Sequence, residues 1–149
     1  MASRPDLADR LHGPLRLPPN PVFRAYRGGD ALRRFRGLPE RGPDHWPEEW
    51  IGSMTVAGNP DPEDRVQGLS MVEVPGLPPM TLASLVAAAP EPMVGAPFAH
   101  RHGATTGVLV KMIALSDAGP LHAHPDADFA QRELGLALGV EQLLDLGGR

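Results

Sequence analysis

Cysteine is absent from this 149-residue chain, so it can build neither a disulfide framework nor a thiolate metal site. No run approaches the roughly 18 apolar residues that a membrane-crossing helix needs. The N-terminal stretch, MASRPDLADRLHGPLRLPP, also lacks the apolar segment of a signal peptide. A reducing, cytoplasmic setting with no membrane partner is the expectation. Aromatic residues are scarce, at 5%. Positive charge is local: residues 1–41 hold 9 basic and 4 acidic side chains (+5), and the remainder holds 5 against 14 (−9), for a total of −4. A nucleic-acid binder would be basic overall, with a concentrated patch and stacking aromatics, so no nucleic-acid partner is expected. Lysine is nearly missing, since of 14 basic residues only Lys111 is not arginine. No G-x-G-x-x-G, no G-x-x-x-x-G-K-[ST] and no nucleophile-elbow serine is present, so nucleotide folds are not supported and covalent acyl transfer has little to stand on.

Proline and glycine are abundant instead. Gly 17 and Pro 18 together make 35 of 149 residues, about 23%. That much proline disfavours long helices and favours short strands, turns and loops. Residues 1–21 read as an irregular Pro- and Arg-rich arm. Strands are expected at 22–26, 49–57, 68–74 and 107–115, where β-branched and apolar residues run between turn signals. The last of these, GVLVKMIAL, is continuously apolar apart from Lys111 and reads as a buried strand. A helical turn is expected at 31–35, and a helix at 81–89 with Thr81 as its N-cap and Pro90 as its stop. The Pro- and Gly-rich stretch 90–107 reads as loop. A further helix is expected from about residue 126 to 146, with Asp126 and Asp128 at its positive end. The sum is a mainly β fold with short helices, in a sandwich or barrel.

The strongest chemical signal is His122-Ala123-His124. On a strand, residues two apart share a face, so both imidazoles could meet one first-row metal, with a carboxylate such as Asp126, Asp128, Glu133 or Glu141 nearby in sequence. A solvent-facing histidine pair is the plain alternative. His100, His102 and His45 sit in loop-like surroundings and read as solvated. Lys111 either snorkels from a strand edge or enters a cavity to meet an anion. Arg24, Arg27, Arg33, Arg34 and Arg36 either bind a phosphate or solvate a surface.

Taken together, NPVFRAYRGGDALRRFRG, PEEWIGS, GVLVKMIAL and PLHAHPDADFAQREL, in that order, resemble the N-terminal part of mannose-6-phosphate isomerases, zinc-dependent members of the cupin superfamily. The resemblance spans about residues 14–134. It implies an incomplete cupin-type β-sandwich or jelly roll, a zinc cofactor and a sugar-phosphate substrate. It matches His122 and His124 to metal ligands, Lys111 to a lysine of the substrate pocket and Glu49 to a carboxylate near the active cleft. It implies interconversion of mannose 6-phosphate and fructose 6-phosphate through a cis-enediol. The family's next step, G-K-T-E-x-W with a further zinc-binding Glu, has no counterpart in residues 135–149, GLALGVEQLLDLGGR. A single truncated cupin-like domain over 1–149, with 135–149 as a divergent tail, is therefore expected, its isomerase activity impaired. The alternatives are a catalytically inactive cupin remnant and a small metal-binding cupin. Unpaired strand edges in such a chain invite self-association.

Overall fold

The computed structural model describes residues 7–58, 62–118 and 125–135. The chain falls into two compact units, Met1–Ala118 and Gly119–Arg149. The first contains a three-stranded antiparallel sheet in the order β1-β2-β5, from Pro21–Val22, Glu48–Ile51 and Val110–Ile113. It also contains a two-stranded antiparallel sheet, β3 (Met71–Val72) with β4 (Met80–Thr81). Four short helices accompany them: α1 (Ala31–Phe35), α2 (Leu82–Ala88), α3 (Pro90–Val94) and α4 (Ala96–His102). Helix and strand are mixed here, and the mainly β expectation narrows to a few short antiparallel strands.

Glycine conformation explains why the strands are short. The expected strand at 49–57 stops at Ile51 because Gly52 follows with φ +61, outside any strand geometry. Gly68, at φ +95, likewise keeps the expected 68–74 strand from starting before Met71. Proline explains the two helices found where a loop was expected. Pro90 occupies the first turn of α3 and Pro97 the first turn of α4, where a missing N–H costs nothing and the fixed φ suits the helix. Gly95, at φ +83, turns the chain between them. The helix at 81–89 forms as expected: Thr81 Oγ1 accepts from the Ser84 N–H at 3.0 Å and caps α2.

Two apolar clusters form. Val22, Trp50 and Ala57 pack with Leu109 on one face of the larger sheet. Val72, Val74 and Leu85 pack beside the smaller sheet and receive Leu7, Leu11, Leu15 and Leu17 from the N-terminal segment. That irregular segment is therefore anchored through its leucines. It makes a 3-10 turn at Ala8–Arg10 and a bridge from Arg16 to Glu73.

In the second unit, α5 runs over Ala127–Leu134. Asp126 Oδ1 caps it by accepting from the Phe129 N–H at 2.7 Å. The helix closes at Leu134, where Gly135 takes the left-handed conformation that ends helices, and the rest of the expected span, 136–146, lies outside the described residues.

Candidate functional site

Strand alternation decides which side chains meet. β2 and β5 pair with Trp50 opposite Lys111 and Glu49 opposite Met112. Facing residues of an antiparallel pair project to the same side, and neighbours along a strand project to opposite sides. Glu48, Trp50 and Lys111 thus share one face, and Glu49 lies on the other. Lys111, matched through the resemblance to the substrate pocket, and Glu49, matched to a carboxylate near the active cleft, are on opposite faces of the sheet. The carboxylate on the lysine's side is Glu48.

Glu48 is buried and fully engaged. Its Oε2 accepts from Arg24 Nη2 at 2.8 Å and from Trp50 Nε1 at 2.7 Å. Its Oε1 accepts from the Tyr26 hydroxyl. Burial works to raise the Glu48 pKa, but the Arg24, Tyr26 and Trp50 donors outweigh it, and the net effect holds the carboxyl below its ordinary value. The partner phenol moves the other way: burial and the hydrogen bond to Glu48 push the Tyr26 pKa up to about 12.

Two cations flank the Trp50 indole. The Arg24 guanidinium lies 5.2 Å from the ring centroid and the Lys111 ammonium 5.9 Å. Arg24 is neutralised by Glu48. Lys111, half-buried, makes no hydrogen bond or ion pair among the described residues, so its three N–H donors are unused.

On the opposite face, Glu49 is tied down. Its Oε1 accepts from Arg36 Nη2 and from the Asn20 backbone N–H, the latter at 2.6 Å. A cavity of about 100 Å³ opens here between α1 and the sheet, with Leu32, Arg33, Arg36, Trp46 and Glu49 in its wall. The arginines of 24–36 are already committed: Arg24 to Glu48, Arg27 to Asp117, Arg33 to the Pro39 carbonyl, Arg34 to Glu40 and Arg36 to Glu49. They serve as internal ties, which removes the reading of a ready-made phosphate cluster. His45 Nδ1 lies 2.9 Å from the Arg24 carbonyl oxygen, and His100 pairs with Glu91 at 2.9 Å.

His122 and His124 lie outside the described residues. Among the described residues no group of three or more His, Asp or Glu side chains is placed to hold a metal ion, and no helix is long and apolar enough to cross a membrane. Sequence reasoning missed Glu48, Arg24 and Tyr26 as a unit. The signal was there in the spacing: Arg24 and Tyr26 are two apart in one strand-like run, and Glu48 and Trp50 are two apart in the next. Comparison of the chain with protein-family models, curated proteins and solved structures gave no match.

Proposed function

We propose that this chain corresponds to the N-terminal part of a zinc-dependent mannose-6-phosphate isomerase with a cupin-type sheet. The reading is supported by the order of its sequence motifs and, above all, by one observation. Lys111 holds its ammonium over Trp50, with no hydrogen bond or ion pair among the described residues, on the sheet face that also carries Glu48, whose carboxyl is held below its ordinary value. A half-buried cation with three free donors suits an oxygen-rich, anionic sugar phosphate. In this reading Lys111 binds the substrate and stabilises negative charge that develops on the enediol oxygens. Glu48 holds Trp50 and Arg24 in place; with three donors on its oxygens it is a poor proton acceptor. Glu49 projects from the opposite face of the sheet and pairs with Arg36. His122 and His124 would hold the zinc, which when bound supplies a Lewis acid to the carbonyl and hydroxyl oxygens.

The test is isomerase turnover of the zinc-supplemented chain with mannose 6-phosphate, beside metal content by mass spectrometry. Impaired turnover is expected, with Lys111→Met lowering its kcat/KM by about 100-fold or more. About one zinc per chain is expected, lost in His124→Ala. Turnover unchanged in Lys111→Met, or none at saturating zinc, would count against the reading. A second reading, a catalytically inactive cupin remnant, is favoured by the outer edge of β5, which has no neighbouring strand among the described residues. Zinc without turnover would point to the small metal-binding cupin, and neither to the remnant.

A further inference from the structure

The two edges of the larger sheet are finished differently. At the β1 edge, Pro21 has no N–H to present, and the outward Phe23 N–H is taken by Gln67 Oε1 at 2.6 Å. That edge is closed to further strands.

The β5 edge is open. The Ala114 N–H bonds the Pro47 carbonyl at 2.9 Å, and the register sets Met112 and Val110 against Glu49 and Ile51. The even-numbered residues of β5 therefore direct their backbone groups to β2. Lys111 and Ile113 direct theirs outward, and so does Leu115, whose neighbours Ala114 and Ser116 bond Gly29 and Arg27 on the inner side. Those outward N–H and C=O groups make no hydrogen bond among the described residues. The flanking side chains are apolar and uncovered: Val108 is 65% exposed, Val110 50%, Leu115 48% and Ile113 39%. Proline, the usual guard of an edge, occurs 18 times in the chain but nowhere between Pro97 and Pro120. Lys111 is the one charge on the strand.

We propose that β5 is a dimerisation edge, pairing antiparallel with β5 of a second copy across a two-fold axis at Met112. The register follows from charge and from the free groups. Centring the axis on Lys111 would set two ammonium groups directly opposite each other, which is unfavourable. Centring it on Met112 places Lys111 opposite Ile113 of the second copy and Leu109 opposite Leu115. Each such pair exchanges two hydrogen bonds, so every outward group of Lys111, Ile113 and Leu115 finds a partner. Apolar residues then line both faces of the seam, and the result is a continuous six-stranded sheet, β1-β2-β5 from each copy. A two-fold contact consumes both open edges and closes the assembly. This inference stands apart from the isomerase reading and needs neither zinc nor substrate.

Sedimentation of the full chain tests it. A species of twice the 15.9 kDa chain mass is expected. Ile113→Lys, which faces Lys111 of the second copy, should weaken dimerisation at least tenfold. Within its own sheet position 113 lies opposite Glu48, so a lysine there is tolerated by the fold, and an unchanged far-ultraviolet spectrum of Ile113→Lys separates a charge effect from misfolding. Amide exchange should show Lys111 and Ile113 protected in the dimer and unprotected in Ile113→Lys. A wild-type chain that stays monomeric at about 100 µM would overturn the proposal. So would a dimer indifferent to Ile113→Lys. Protection of these amides in a monomer would mean that the chain covers its own edge, and would overturn it equally.

Discussion

Tyr26 is the only tyrosine of the chain, so its titration can be read without interference. Burial and the bond to Glu48 raise its pKa from 10.0 to about 12. A phenol whose folded pKa lies above its unfolded value contributes stability that is complete below pH 10 and is lost as pH rises from 10 toward about 12. Absorbance at 295 nm should therefore stay flat through pH 10.5 in the folded chain, and Glu48→Gln should bring the transition earlier. A wild-type midpoint near 10 would show that the bond is absent. Glu48 works with the opposite sign. Its folded pKa is depressed, so its contribution is present above the ordinary value of 4.5 and fades as pH falls below it. The same substitution should consequently matter at neutral pH and progressively less in acid. Lys111 was legible at this scale because a charge inside GVLVKMIAL breaks an apolar run. Glu48 was not, because only strand register distinguishes it from Glu49 beside it.

At the scale of elements, local chemistry decided what could be read. The Thr81 cap and the apolar spacing of 82–88 announce α2 in the sequence, and α2 forms. α3 and α4 were hidden because proline reads as a breaker unless its position within a turn is known, and Pro90 and Pro97 both fall in first turns. The strands were placed well but drawn too long, since nothing in EWIGSMTVA reveals that Gly52 will be left-handed. Leu7, Leu11, Leu15 and Leu17, four leucines within a Pro- and Arg-rich stretch, were the overlooked sign that the N-terminal segment packs down. Gly28 carries a test of how closely these elements approach. A Cβ built there would lie 2.5 Å from Pro47 Cα and 2.6 Å from the Ala114 carbonyl oxygen, both backbone atoms that cannot swing aside. Gly28→Ala should cost about 2–3 kcal/mol by chemical denaturation, whereas Gly13→Ala, which meets nothing within 4 Å, should change stability by less than about 0.5 kcal/mol. Equal effects at the two positions would mean that β5 and the 27–29 segment do not meet as described.

Across the first unit, one half-buried side chain joins regions distant in sequence. Asn20 Nδ2 donates to the Trp50 carbonyl at 3.0 Å, to the Gly68 carbonyl at 2.9 Å and to Ser70 Oγ at 3.2 Å, and its own carbonyl accepts from the Trp50 N–H. Ser70 Oγ in turn accepts from the Ser53 N–H at 2.9 Å. Trp50 belongs to the first apolar cluster, while Ser70 adjoins β3, whose Val72 belongs to the second. Asn20→Ala removes the three Nδ2 bonds and takes away the donor on the Gly68 carbonyl, while Ser70 Oγ keeps the Ser53 N–H and the Trp50 carbonyl keeps the Ser70 hydroxyl. The substitution should cost about 1–3 kcal/mol. It should also separate the tryptophan-fluorescence transition from the far-ultraviolet one, which coincide in the wild type if the unit unfolds as a whole. Unchanged, coincident transitions in the variant would show that the two clusters are coupled by other means. Lys111, finally, makes β5 its own reporter. A lysine-specific protease has a single peptide bond to cut in this chain, between Lys111 and Met112, and that bond lies inside a paired strand. Two fragments can arise only from molecules in which the strand has come away, so digestion turns the breathing of the sheet into a countable chemical event.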